Sequence, residues 1–476
     1  VLLAALLAVV VSPPAVAGAA DPDPAYAAGN VLQVFAGPGA PGVRYAEDPF
    51  ANPYFMPDWD HDGDYGDLGD VVFDRGATPG RAPFRYPCQF AEAGVAYRTT
   101  TGGCARPDQS GVTFRTGEAQ RLRVIDARGL ALTATLWLPD DALRRGAHDL
   151  PGLVFASGAF VPQRSYYMYA MAAAAAGFVV LSYDSQGQGS SEGRFPWYSA
   201  SAPASGSCRW TVVSCRELQE MVRWFTGDPI RAAQPRLGTH DPRYSPDGEN
   251  PHNPALGLLD RSRVAIAGQS MGAVSVSNYL HWLPTGHDGE GQPLPAIAAA
   301  VALSGFGPAS AAVPVQAQTA DLDVPGVTAD NWGAFDDVTD GPLGTKAWYD
   351  QLRARRTGHQ MLQLIISEGG SHGDTADIPA APHAPWAYAV SVTYFVAFLS
   401  CTVQHDQAAC RRAVAPQPHL SQAYASEYVP AGTSGPAPSR CMTVPTKPSL
   451  EMAFDPDRPS HFADGMAAKP PYTCTP

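Results

Sequence analysis

Val264-Ala-Ile-Ala-Gly-Gln-Ser-Met-Gly-Ala273 is the stretch from which the rest of the chain can be read. Four apolar residues run straight into Gly268-Gln269-Ser270-Met271-Gly272, a G-x-S-x-G pattern. A buried strand is expected to end near Gly268 and a helix to start near Met271. The turn between them is too tight for bulky neighbours, so small residues flank Ser270 two positions away on either side. Such a turn lifts the serine hydroxyl above the end of a sheet and leaves the backbone N–H of Met271 to face an anion. The plainer account is a strand–helix junction with a chance serine. The apolar run before it and the helix former after it favour Ser270 as a nucleophile.

Outward from this stretch, short apolar runs alternate with helical spacing. Upstream, Gln120–Ile125 and Leu130–Leu138 read as two antiparallel strands joined by a Gly-containing turn. Leu153–Ala156 is a short strand running into Ser157-Gly158-Ala159-Phe160. A helix is expected over Ser165–Ala176, closed by Gly177, then a wholly apolar strand over Phe178–Asp184 entering the polar loop Gln186–Gly193. Residues 194–215 read as an inserted loop, Glu217–Phe225 as a helix and 228–260 as an irregular excursion rich in Pro, Asn, Asp and Gly. Downstream, strands are expected at Ile297–Ser304, Val313–Thr319 and Leu362–Ser367, with helices at Thr345–Arg355 and Trp386–Leu399. The sum is an α/β chain: a mostly parallel sheet with helices on both faces, led by an antiparallel pair. In open sheets of this kind a ligand sits beyond the carboxyl ends of the strands, where Ser157–Phe160 and Ser270 both lie.

The chain has 476 residues, a hydrophobic fraction of 45% and a formal charge of −13, enough for a sizeable core and wrong in sign for nucleic acid or an anionic membrane. Residues 1–20 read as a secretory signal with an incomplete basic start, and no other stretch reads as a membrane span. The eight cysteines fall in close pairs without a C-x-x-C, which in an exported protein points to disulfides rather than a metal knuckle. Sequence leaves their connectivity open; Cys88–Cys104, Cys208–Cys215, Cys401–Cys410 and Cys441–Cys474 are the economical pairings. Residues 21–118 form an N-terminal extension, 119–410 the catalytic domain with its loop insertions, and 411–476 a Pro-rich, disulfide-stapled lobe packed on the core. Within the extension, Asp58, Asp60 and Asp62, with Asp64 as a further candidate, begin like a calcium loop, but the twelfth position is Gly69. A solvated acidic loop is the favoured account there, with structural calcium the alternative and no other cofactor expected.

The pattern over residues 118–405 resembles the α/β-hydrolase superfamily, with a partial likeness to bacterial cutinase-like and dienelactone-hydrolase-like esterases. The features that carry it are Ser157-Gly-Ala-Phe160, the Gln before Ser270, the Ala320-Asp-Leu-Asp323 string, Ser371-His372 and the cysteine pair that follows. The resemblance implies an α/β-hydrolase fold and a triad in the chain order nucleophile, acid, histidine: Ser270, Asp323 and His372. Asp321 is the fallback acid, with Asp336, Asp337 and Asp340 behind it. It also implies an oxyanion hole built from the backbone N–H groups of Met271 and Ala159, with Phe160 as the alternative donor. These residues together would make a secreted carboxylic ester hydrolase acting on a small or polymeric ester. A serine peptidase or amidase and an acyltransferase of the same fold are the alternatives, since the 184–193 stretch is similar to that of peptide-cleaving relatives. A non-catalytic protein on the same fold is the reading from another class. Tyr166, Tyr167, Phe195, Trp197, Tyr198 and Trp332 are candidates to line an apolar pocket.

Overall fold

Side chains alternate between two faces along the strands, and both faces of the one sheet are covered. The computed structural model of the chain describes residues 116–139, 146–159, 161–189, 191–192, 212–230, 251–322, 345–371, 375–376, 385–415 and 426–442. In chain order the strands are β1 (Thr116–Ile125), β2 (Ala131–Pro139), β3 (Leu150–Ala156), β4 (Val179–Tyr183), β5 (Leu259–Gln269), β6 (Ala299–Leu303), β7 (Val315–Leu322), β8 (Leu362–Ser371), β9 (Glu427–Val429) and β10 (Arg440–Cys441). The helices are α1 (Tyr167–Ala175), α2 (Val212–Thr226), α3 (Met271–Trp282), α4 (Thr345–Arg355), α5 (Pro385–Val403) and α6 (Gln407–Val414). The strands form one sheet in the order β1-β2-β4-β3-β5-β6-β7-β8-β9-β10. The run from β4 to β8 is parallel, whereas β1 and β2 at one edge and β9 and β10 at the other are antiparallel.

The central strands carry apolar runs because both faces of the sheet are covered. On β5, Val264 and Ile266 face one core, which they share with Leu218, Met221 and Phe225 of α2, Val276 and Leu280 of α3, and Trp348 and Leu352 of α4. Ala265 and Ala267 face the other, with Tyr169 of α1 and Phe395 and Phe398 of α5. The small residues on that second face let α5 lie close to the sheet. Its contact with β7 and β8 is partly polar. Gln316 Nε2 donates to Gln363 Oε1 at 2.6 Å and to the Tyr394 carbonyl at 3.0 Å. Gln318 Nε2 donates to Gln316 Oε1 at 2.7 Å, and Ser391 Oγ donates to Gln318 Oε1 at 2.6 Å. Tyr169 Oη lies 2.7 Å from Ser391 Oγ, so the chain of amides ends on α1. These buried groups partner one another, which is what makes a polar seam tolerable inside a core.

Several boundaries differ from those expected. The helix expected from Glu217 starts at Val212, so the last residues of the 194–215 insertion are helical. Near the expected start of the C-terminal lobe, α6 spans residue 411, and further on β9 pairs with β8 while β10 pairs with β9. The open edge of β8 is thereby hydrogen-bonded, which removes a template for unwanted strand pairing. The Cys401–Cys410 disulfide ties α5 to α6 as expected, and Cys215 and Cys441 are also disulfide-bonded. Cys88, Cys104, Cys208 and Cys474 lie outside the described residues, as do the signal at 1–20 and the greater part of the extension at 21–118. Among the described residues, no helix is long and apolar enough to cross a membrane.

A buried ion pair clamps the added edge. Lys346 Nζ of α4 lies 2.7 Å from Glu427 Oε1 of β9, with side chains 2% and 0% exposed. Asp350 takes a second contact from the same ammonium at 2.7 Å, and Ser439 Oγ donates to Glu427 Oε2. Removing one partner of such a pair strands the other charge in the core. Lys346→Met is therefore expected to lower unfolding free energy by about 3–5 kcal/mol in urea titration. A loss under about 1 kcal/mol, the range of an exposed pair, would show that the ion pair does not hold the edge.

Candidate active site

Ser270 stands between β5 and α3 in a conformation that side chains rarely adopt. Its φ is 53° and its ψ −114°, and its side chain makes no capping bond to the helix that follows. Its N–H donates to the Leu303 carbonyl of β6 at 2.8 Å, and its carbonyl accepts the first helical bond, from Val274 N–H, at 3.0 Å. The amides of Met271, Gly272 and Ala273 thus precede the ladder of α3, as the opening amides of any helix do. Met271 is buried as the first helical residue, and Ser270 is half-buried.

Close backbone approach explains the small residues around Ser270. A Cβ on Gly268 would sit 2.5 Å from the Gly272 carbonyl carbon, and one on Gly305 would sit 2.6 Å from the Ser270 oxygen. A Cβ on Gly272 would run into the Ala156 carbonyl oxygen and lie 2.9 Å from that of Ser157. Gly268 and Gly272 are visible in the motif. Gly305 is a third member that the motif does not contain, and a Gly at the end of the neighbouring apolar strand was the only signal for it. Ser304, just before it, also has a positive φ, 52°, so two adjacent strands end in strained non-glycine residues. Strain of this sort costs of order 1–3 kcal/mol per residue and collects at functional sites.

The loop after β3 approaches from the other side. Ser157 is fully buried, and its Oγ has no hydrogen-bond partner. Gly158 N–H donates to Tyr166 Oη at 3.1 Å, and Tyr166 Oη donates to Gln269 Oε1 at 2.7 Å. Ala159 follows, half-buried. Tyr166 was expected among the pocket-lining aromatics; it is wholly buried, packed on Phe155 with ring centroids 5.2 Å apart, and its hydroxyl bonds the loop and Gln269. Burial pushes its phenol well above the ordinary value of 10, the Gly158 N–H pulling the other way.

β7 and β8 lead toward the expected acid and histidine. Leu322 and Ser371 are paired residues on these neighbouring strands. Beyond β8, Thr375 returns to the residue that follows β6: its Oγ1 lies 3.3 Å from Ser304 Oγ, and both side chains are buried. Asp323 and His372 themselves lie outside the described residues, and of Asp321 only the backbone is described, as part of β7. Phe160, Phe195, Trp197, Tyr198, Trp332, Asp336, Asp337 and Asp340 also lie outside, as do Asp58, Asp60, Asp62 and Asp64. Among the described residues, no group of three or more His, Cys, Asp or Glu could hold a metal ion.

A second polar cluster lies at the same end of the sheet, between the β1–β2 turn, the loop after β4 and α2. Arg128 donates to Asp126 Oδ2 at 2.7 Å and to Glu217 Oε1 at 2.6 Å. Glu220 accepts the Ala127 N–H at 3.0 Å, and Glu217 accepts that of Gln186 at 3.2 Å. Burial raises both glutamates, with Arg128 countering it, and Glu220 is pushed up to about 7. Tyr183, whose buried hydroxyl has no hydrogen-bond partner, is raised by burial and by the two glutamates.

Compared with known proteins, the chain matches no protein-family model and no curated sequence.

Two outcomes follow from this geometry. Gly272→Ala is expected to lower the melting temperature by several degrees, because its Cβ has no space against Ala156; an unchanged melting curve would show that the β3–α3 approach is loose. Burial makes Glu220 hold its proton more tightly folded than unfolded, so its contribution to stability is fully present below about 4.5, its ordinary value, and is lost as pH rises through about 7. The slope is at most about 1.4 kcal/mol per pH unit. Glu220→Gln should flatten the dependence of melting temperature on pH between 5 and 8, and an unchanged slope would exclude Glu220 as its source.

Proposed function

We propose that this protein is an exported serine hydrolase of the α/β-hydrolase type that cleaves carboxylic esters through an acyl-enzyme on Ser270. The observation that carries the reading is the turn at Ser270: a serine at positive φ, closed in by Gly268, Gly272 and Gly305 at the carboxyl end of a central strand, with a helix beginning at the next residue. A residue with a Cβ is held in this way where its side chain must stand clear of the sheet. The strand order, with an antiparallel entry and a parallel centre, agrees with that fold.

The neighbouring strands support the other members of the triad. His372 lies in sequence between Ser371, the last residue of β8, and Thr375, which touches Ser304. Ser304 adjoins Leu303, which accepts the Ser270 N–H. The segment that contains His372 is therefore bracketed by one strand end and by a contact one strand away from the nucleophile. Asp323 follows Leu322, the residue paired with Ser371, and so suits the role of accepting the imidazole's second N–H. Asp321 remains the fallback.

In the reaction, His372 takes the Ser270 proton as Oγ bonds to the acyl carbon, and the carbonyl π electrons move to oxygen. The Met271 and Ala159 N–H groups hold that oxyanion. Gly158 N–H is already engaged by Tyr166, which passes the role to the next amide in the loop. Collapse of the intermediate breaks the bond to the alcohol oxygen, which takes the proton from His372. Water, deprotonated in turn by His372, then attacks the acyl-enzyme, and Ser270 leaves with the proton restored. No cofactor is required for these steps. Oxidised cysteines agree with an exported protein.

The test is hydrolysis of p-nitrophenyl esters of increasing acyl length beside a peptide-amide set. Ser270→Ala should keep the melting curve and lower ester turnover by about 10⁴-fold or more. Amide cleavage without ester cleavage would replace the esterase reading by a peptidase one, and full activity in Ser270→Ala would remove the nucleophile assignment.

A further inference from the structure

One buried side chain joins the loop after β3 to the strand that carries Ser270. Tyr166 lies just before α1, and its hydroxyl accepts from Gly158 N–H at 3.1 Å while donating to Gln269 Oε1 at 2.7 Å. Gln269 is 2% exposed and directly precedes Ser270, with its backbone in register with Leu303. Gly158 rests against both partners: a Cβ there would meet Gln269 Oε1 and would lie 2.7 Å from Tyr166 Oη and 3.3 Å from the Gln269 carbonyl. The contact therefore fixes the Gly158 Cα as well as its N–H. Ser157 provides no rival anchor, since its buried hydroxyl has no partner. A phenol is well suited to this place, because it donates and accepts at once, and a phenol this deeply buried keeps its proton.

We propose that Tyr166 and Gln269 form a positioning relay that sets the distance between the two oxyanion-hole amides, those of Ala159 and Met271. The proposal rests on the hydrolase reading. The Met271 amide belongs to the turn that follows Gln269, and the Ala159 amide belongs to the peptide that follows Gly158. The relay ties Gly158 to Gln269 through a single hydroxyl, so the spacing of one pair governs the spacing of the other. Neither side chain touches substrate, and both act through the backbone. Because oxyanion donors act on charge that develops in the transition state, a shift in their spacing lowers kcat and leaves substrate binding nearly untouched. A misplacement of about 1 Å can cost roughly 100-fold in rate.

The test compares the full-length oxidised protein with Tyr166→Phe, Gln269→Met and the double variant, using p-nitrophenyl butyrate. Rates are expressed per active site titrated with a fluorophosphonate, so that unfolded molecules do not count. Each single variant is expected to lose about 10- to 100-fold in kcat with KM within about two-fold of wild type. The double variant is expected to be no slower than the slower single, as for residues acting as one unit. Wild-type kcat per titrated site in both single variants would overturn the relay while leaving the hydrolase intact. So would a double variant whose loss is the product of the two single losses. If Tyr166→Phe does not fold, Gln269→Met decides the question by the same split of kcat from KM. A wild type without Ser270-dependent turnover would refute the hydrolase reading itself, and the relay with it.

Discussion

At Ser270 the backbone holds a φ of 53° on a residue with a Cβ, and it keeps that conformation because three segments close around it without side chains in the way. Gly268 admits the backbone of α3, Gly272 admits the end of β3, and Gly305 admits the Ser270 carbonyl itself. Each approach is short enough that a methyl group would force a shift, so the strain is shared among the ends of three strands and the start of a helix. The position of the serine thus follows from the packing of the sheet rather than from the turn alone, and the interior is too dense to deform gradually.

A parallel sheet makes this economical. With β3 to β8 all running the same way, the described segments after β3, β5 and β6 meet at one end, where Thr375 touches Ser304. The helices are held by means that suit their places. α3 packs by apolar contact beneath the turn it begins, whereas α5 is registered on β7 and β8 by the glutamine seam of Gln316, Gln318 and Gln363. Directional bonds specify one register where a smooth apolar face would allow several. The antiparallel edges shield the parallel centre, and the Lys346–Glu427 pair fastens the second of them to α4.

Buried charge also gathers at the loop-bearing end. Asp126 and Glu217 share the Arg128 guanidinium, Glu220 accepts the neighbouring Ala127 N–H, and burial pushes Glu220 up to about 7. The cluster joins the β1–β2 turn, the loop after β4 and α2. It gives the fold a pH dependence separate from that of the proposed triad, and the two are distinguishable because one appears in stability and the other in turnover.

Local sequence determined a good deal. Apolar runs within β4, β5 and β6 marked strands buried on both faces, a helix was legible near Thr345–Arg355, and Gly268 and Gly272 exposed the tight turn around Ser270. Such features depend on neighbours along the chain, and periodicity and residue size record them. The pairing of Cys401 with Cys410 across a short separation was legible for the same reason. What the tertiary structure decided involves partners distant in sequence. Tyr166 looked like a pocket aromatic until its hydroxyl met Gln269, 103 residues away. Gly305 had no motif to mark it, and nothing in the Pro-rich sequence after 411 showed that Glu427–Val429 would pair with β8. A sequence specifies which residues prefer to be buried or to turn; which buried groups meet is settled only when the sheet brings its strand ends together.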